Sequence, residues 1–121
     1  MREIKFRAWD TKKERFDYYP LISNGSVYNV DAFDDLVEYS EGRMILQQYT
    51  GLKDKNGKEI YEGDFLQDDD GIGEVEWVNE HCGFRVFTRT PSLYHNLESD
   101  GSLRNSLVIG NIYEHSYLIG R

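Results

Sequence analysis

Apolar residues in this chain recur in short runs with a period of two, and turn-forming residues cut each run before it grows long. That pattern dictates strands, because successive strand side chains point to opposite faces. In the opening segment Ile4, Phe6 and Ala8 point one way while Lys5, Arg7 and Trp9 point the other, as a half-buried strand requires. Asp10-Thr11-Lys12-Lys13 is a polar turn, and Arg15 to Tyr19 reads as the returning strand with Phe16 and Tyr18 on one face. Pro20 ends it, since proline removes a ladder donor. Asn24-Gly25 is a two-residue turn signal, both central positions of a type I′ turn needing positive φ. Leu21-Ile22 and Val27 to Val30 would pair across it.

One segment carries a helical period. Asp31 can cap it, Asp34 and Asp35 fall in the first turn, and Phe33, Leu36 and Val37 share one face before Gly42. This predicts a helix of about two turns, stable only when packed. From Met44 to Tyr49 strands return. Lys53 to Lys58 is a polar loop holding an Asn-Gly turn, and Gly63 supplies a backbone bend between Ile60-Tyr61 and Phe65-Leu66. Asp68-Asp69-Asp70-Gly71 is a turn, and Glu74 to Val78 and Phe84 to Thr88 are strands. Thr90 to Ser106 reads as a long loop with one helical turn around Leu93 to Leu97, and Leu107 to Tyr113 is the last strand. Asn111, following Gly110 within that apolar strand, needs partners for its amide, and a bulge with bonds to backbone groups is expected. Short strands separated by turns suggest a small barrel or a strongly bent sheet.

Composition narrows the function classes. With 121 residues the chain forms one small domain or two subdomains sharing a core. Its aromatic share of 14% argues against disorder. The single cysteine excludes an intrachain disulfide and a Cys-based zinc site. The net charge of −8 opposes binding to a phosphate backbone. No apolar run approaches the ~20 residues that cross a bilayer, and no signal-peptide pattern opens the chain. A cytoplasmic protein without membrane contact is expected. Charge is uneven: residues 1–20 carry six basic and four acidic side chains, whereas Glu59 to Glu80 holds nine acidic and no basic ones. That stretch is either a solvated face or a surface for head-to-tail contact between copies.

A search for chemistry finds little. His81, His95 and His115 lie far apart, with no second ligand at helical spacing. Aligning Gly71 with the glycine of a calcium loop puts Asp68 and Asp70 at ligand positions but leaves Leu66 and Trp77 where acidic ligands belong. Cys82 adjoins His81, yet strand neighbours point to opposite faces, so it reads as an ordinary turn cysteine. No serine lies in a nucleophile elbow, and Gly71-Ile72-Gly73 lacks the rest of a phosphate loop. Aromatics of a small barrel could stack bases beside Arg85, Arg89 and Arg104, but Leu46 to Arg121 carries seven basic against thirteen acidic groups. No catalytic, cofactor-binding or metal residue is assigned.

Three blocks resemble a known family. Met1 to Asp10 (MREIKFRAWD) is similar to the opening of the YopX family of phage and prophage proteins. Gln48 to Asp64 (QYTGLKDKNGKEIYEGD) resembles its central signature, and Val108 to Glu114 (VIGNIYE) its closing one. After Glu114, His115-Ser116 stands where the family tends to have Asn-Pro. The resemblance implies a mainly β fold: an N-terminal β-rich subdomain over residues 1–45, here carrying a hairpin and the one short helix and mediating self-association, then a small SH3-like or bent-sheet barrel over 46–121. It brings no catalytic residue to carry over. In the signature blocks, Trp9 is expected to cover a face of the first strand or to lie between the two halves, and Gly51, Gly57 and Gly63 to mark conformations a side chain would hinder. The leading expectation is a non-enzymatic accessory protein, a homo-oligomeric scaffold or binding module. The alternatives are a nucleic-acid-binding barrel, an acidic mimic of DNA that binds a host bacterial protein, and an enzyme whose pocket only a structure would reveal.

Overall fold

The structure is a computed structural model that describes residues 3–30, 33, 35–68, 71–89, 92–96 and 106–119. Its elements are nearly all strands, as expected. The chain divides into two compact units, one of Lys5–Gln48 and one of Tyr49–Arg121 with Met1–Ile4. It passes from the first to the second within strand β6 (Met44–Lys53), the strand in which the sequence division after residue 45 also falls.

The first unit holds β1 (Phe6–Asp10), β2 (Arg15–Asp17), β3 (Leu21–Ser23), β4 (Ser26–Val30), β5 (Leu36–Glu38) and the start of β6. β1 pairs antiparallel with β2 and with β6, so Trp9 stands opposite Phe16 on one side and Ile45 on the other. Trp9 and Phe16 meet edge to face at 4.9 Å, so Trp9 covers a face of its own strand. Burial of β1 differs from the half-buried expectation, because Arg7 through Asp10 are all buried. Arg7 is only 3% exposed. Its Nε donates to Gln47 Oε1 at 2.8 Å, and its guanidinium carbon lies 4.2 Å from the Phe16 ring centre. A cation so bonded and stacked can sit on a covered face.

β3, β4 and β5 form a three-stranded meander. Asn24 and Gly25 both take positive φ between β3 and β4, as a type I′ turn demands. The predicted helix is corrected here. Asp31 and Asp34 lie outside the described residues, but Leu36–Glu38 is a strand whose Leu36 and Val37 stand opposite Val30 and Asn29 of β4. Spacing of three and four residues puts Phe33, Leu36 and Val37 on one helical face, yet two turns of helix barely offset their nucleation cost. The open edge of β4 offers the same backbone groups a ladder instead.

One carboxylate organises the β1–β2 turn. Asp10 Oδ1 accepts the N–H groups of Lys12 and Lys13 at 3.0 Å. Arg43, just before β6, donates Nε to Oδ1 at 3.2 Å and Nη2 to Oδ2 at 3.1 Å. The Arg43 hydrogen bonds, helped by the two backbone N–H groups and opposed by burial, hold the Asp10 carboxyl at about 2, down from 3.8.

The second unit contains the rest of β6, β7 (Glu59–Tyr61), β8 (Asp64–Asp68), β9 (Gly71–Val78), β10 (Gly83–Arg89), β11 (Ser92–Asn96) and β12 (Leu107–Asn111). β8 to β11 run as an antiparallel meander, and β12 closes on β8 in a curled half-barrel sheet. The sequence puts Val75 and Trp77 of β9 on one face; Val75 is buried between half-buried Glu74 and Glu76, but Trp77 is 45% exposed at the end of the strand, against Phe84. Val75 packs with Ile60, Leu66, Phe84 and Val86 in the core. Ser92–Asn96 corrects the expectation of a helical turn around Leu93, since this segment pairs with β10 in continuous register from Arg89↔Ser92 to Arg85↔Asn96. Leu97 lies outside the described residues.

Because the folded Asp10 pKa is depressed, its charge stabilises the fold above about pH 4, and that contribution disappears as pH falls through about 2. Asp10→Asn should therefore lower stability by on the order of 1 kcal/mol at pH 7. The two proteins should converge in urea unfolding at the acid end, and a difference constant across pH would contradict the assignment.

Candidate functional site

The residues of the central and closing sequence blocks converge within the second unit. After β6 the chain turns through Asp54, whose Oδ1 accepts the N–H groups of Asn56 and Lys58 at 2.9 Å. Its Oδ2 accepts the N–H of Val108, fifty-four residues onward in β12, at 3.0 Å. Burial pushes the Asp54 carboxyl up, but the N–H groups of Val108, Lys58 and Asn56 outweigh it and hold the pKa below the ordinary value. Beside it, Lys55 N–H donates to Ser106 O at 3.2 Å. Gly63 joins the same blocks from the other side: its N–H donates to Val75 O at 2.7 Å and its carbonyl accepts Ile112 N–H at 2.9 Å. Its φ of 84° is one a side chain resists, as the sequence implied. Asp64, 1% exposed, accepts Tyr61 N–H at 2.8 Å and so closes the bend.

Asn111 meets the expectation made for it. The β8–β12 register shifts between Val108 and Gly110, a bulge, and the Asn111 Oδ1 accepts the N–H groups of Tyr113 and Glu114 at 3.0 and 2.9 Å. Its Nδ2 donates to Glu114 Oε1, and its own N–H donates to His115 Nδ1 at 3.2 Å. The His115 ring fills the space that a Gly110 side chain would need.

The remaining residues singled out from the sequence do not converge. His81 and Cys82 are exposed at the β9–β10 connection, where Cys82 adopts a left-handed turn conformation with φ 49°. His115 is half-buried against Gly110, and of His95 only the strand position opposite Val86 is described. Asp68 pairs with Gly71 at the end of the β8–β9 hairpin, while Asp69, Asp70 and Arg104 lie outside the described residues. Arg85 donates to the Phe84 carbonyl at 2.8 Å, and Arg89 ends β10. Among the described residues no three His, Cys, Asp or Glu side chains are placed to hold a metal. The acidic stretch is not one surface, since Asp64 is inside and Glu74 and Glu76 are half-buried.

The first unit does hold a cleft, of about 420 Å³. Asp10, Lys13, Arg15 and Asp17 line it from the β1–β2 hairpin, with Asn29 of β4 and Tyr39 beyond β5. None of these was proposed as a site from sequence, because the cleft joins the β1–β2 hairpin to Asn29, Tyr39 and Met44, which are distant from it in the chain.

The YopX family model, described as "YopX protein", matches residues 5–120. The chain belongs to the YopX family. No curated protein matches this YopX-family chain. Among solved structures, it is similar to the crystal structure of protein EF1440 from Enterococcus faecalis. The identity is 24% and the TM-score 0.66, over 98% of this chain and 99% of that one, a likeness in fold.

A side chain at Gly110 would lie 2.6 Å from His115 Cγ. Gly110→Ala should therefore displace the ring, break its bond to Asn111 N–H and cost about 1–3 kcal/mol in urea unfolding. In a His115→Ala background the same change should cost far less, because the two residues are in contact. Strict additivity of the two substitutions would show that the ring is not what requires glycine.

Proposed function

We propose that this YopX-family chain is a non-enzymatic phage or prophage accessory protein that acts in the bacterial cytoplasm as a self-associating binding module. Copies join through the β3–β4–β5 meander of the first unit. The register carries this reading: Leu21 stands opposite Tyr28, Val30 opposite Leu36, and alternation puts all four on one face. On that face Leu21, Val30 and Leu36 are 46%, 45% and 65% exposed. Apolar side chains grouped in this way mark an interaction surface more often than solitary exposed ones do. Phe33, in the turn before β5, is exposed as well. Burying a side chain such as Leu36 between copies would contribute about 1.5–3 kcal/mol. The long-range bonds of Asp54 and Gly63 and the local bonds of Asn111 support a structural role for the family's signature blocks.

Light scattering of the full chain at micromolar concentration tests the proposal. The expected result is an oligomer that Leu36→Lys with Val30→Lys converts to monomer while the far-ultraviolet circular dichroism stays unchanged. A wild-type protein monomeric at all accessible concentrations would end the self-association reading.

A further inference from the structure

The cleft of the first unit presents hydrogen-bond donors that no other described residue takes up. Of its two carboxylates, Asp10 is bonded through both oxygens, to Arg43 and to the Lys12 and Lys13 N–H groups, and Asp17 accepts Tyr19 N–H through Oδ1 at 2.9 Å. By contrast, the Lys13 ammonium, Arg15 guanidinium, Asn29 amide and Tyr39 hydroxyl make no hydrogen bond or ion pair among the described residues. Arg15 stands directly opposite Asp10 in the strand pair, yet Asp10 is bonded to Arg43 instead. Two cations without a partner among the described residues thus line a cleft in which Asp10 is paired with Arg43 and Asp17 is bonded through one oxygen, in a chain of net charge −8. A volume of about 420 Å³ exceeds what one oxyanion needs; Phe16 and Met44 complete the lining, and the Arg43 guanidinium lies 4.9 Å from the centre of the Tyr39 ring.

We infer that this cleft binds a small phosphate-bearing molecule, with Arg15 and Lys13 holding the phosphate oxygens and Asn29 and Tyr39 donating beside them. The planar guanidinium of Arg15 matches two phosphate oxygens at once, and the Lys13 ammonium adds a point charge. The site belongs to one copy of the chain, so it goes beyond the self-association reading and does not depend on it.

The test is a 1H–15N titration of the full-length protein with inorganic phosphate at low ionic strength, with succinate as the carboxylate arm. Phosphate should cause saturable shifts at Lys13, Arg15, Asn29 and Tyr39 that weaken as salt rises. Arg15→Gln, on an exposed position of β2, should weaken binding about tenfold, the usual scale for losing one charge-assisted bidentate contact. Lys12→Gln, exposed beside the cleft but not lining it, should leave binding unchanged. Shifts that never saturate, equal effects of the two substitutions, or no shift at these residues would overturn the site. Tighter binding of succinate than of phosphate would overturn the phosphate assignment.

Discussion

The second unit depends on a carboxylate that holds two distant pieces of chain together. Asp54 is nearly buried, and both its oxygens are taken by backbone N–H groups. Burial alone would favour its neutral form, so the three donors must more than offset the loss of water. One consequence is local, since the loop from Asp54 to Lys58 has a single satisfied conformation. The other is global, since Val108 and therefore β12 are fixed against that loop. The bond from Ile112 to Gly63 repeats the arrangement one bend later, and β12 is thereby positioned to pair with β8. The half-barrel follows from these connections as much as from its apolar core.

The first unit uses the same device more modestly. Asp10 caps the β1–β2 turn and pairs with Arg43, so strands at opposite ends of the unit's sequence are tied by one charge. Its apolar side chains are distributed differently from those of the second unit. Ala8, Trp9 and Val27 are buried, while the meander leaves Leu21, Val30 and Leu36 outside. The two units thus differ in what they leave exposed, and the proposed binding role draws on the first. Among the described residues, the second gathers Ile60, Leu66, Val75, Phe84 and Val86 in one core, and the first carries both an apolar face and a polar cleft.

Much of this was readable from the residues alone where local chemistry decides. Asn24-Gly25 forced its turn, the strand from Glu74 to Val78 lies within β9, and the polar amide of Asn111 announced its capping role. The misses share a cause, which is that long-range pairing outweighed local pattern. Leu36 and Val37 have helical spacing but were taken up by the edge of β4, and Ser92–Asn96 by the edge of β10. Arg7 reads as a strand residue on the face opposite Phe6 and Ala8, and its burial rests on contacts that strand pairing creates, those with Phe16 and Gln47 among them. Asp54 looked like one polar loop residue among several, because its decisive partner lies in another block of the chain. The cleft was invisible for the same reason.

The most direct measurement is unfolding of Asp54→Ala alongside amide hydrogen exchange at Val108. The account predicts a loss of about 2 kcal/mol, since three backbone N–H donors lose one buried acceptor together. It also predicts that Val108, Asn56 and Lys58 lose protection in step. A protein whose stability changes by less than about 0.5 kcal/mol, within the range of an ordinary surface substitution, would contradict it, as would an undiminished Val108 protection.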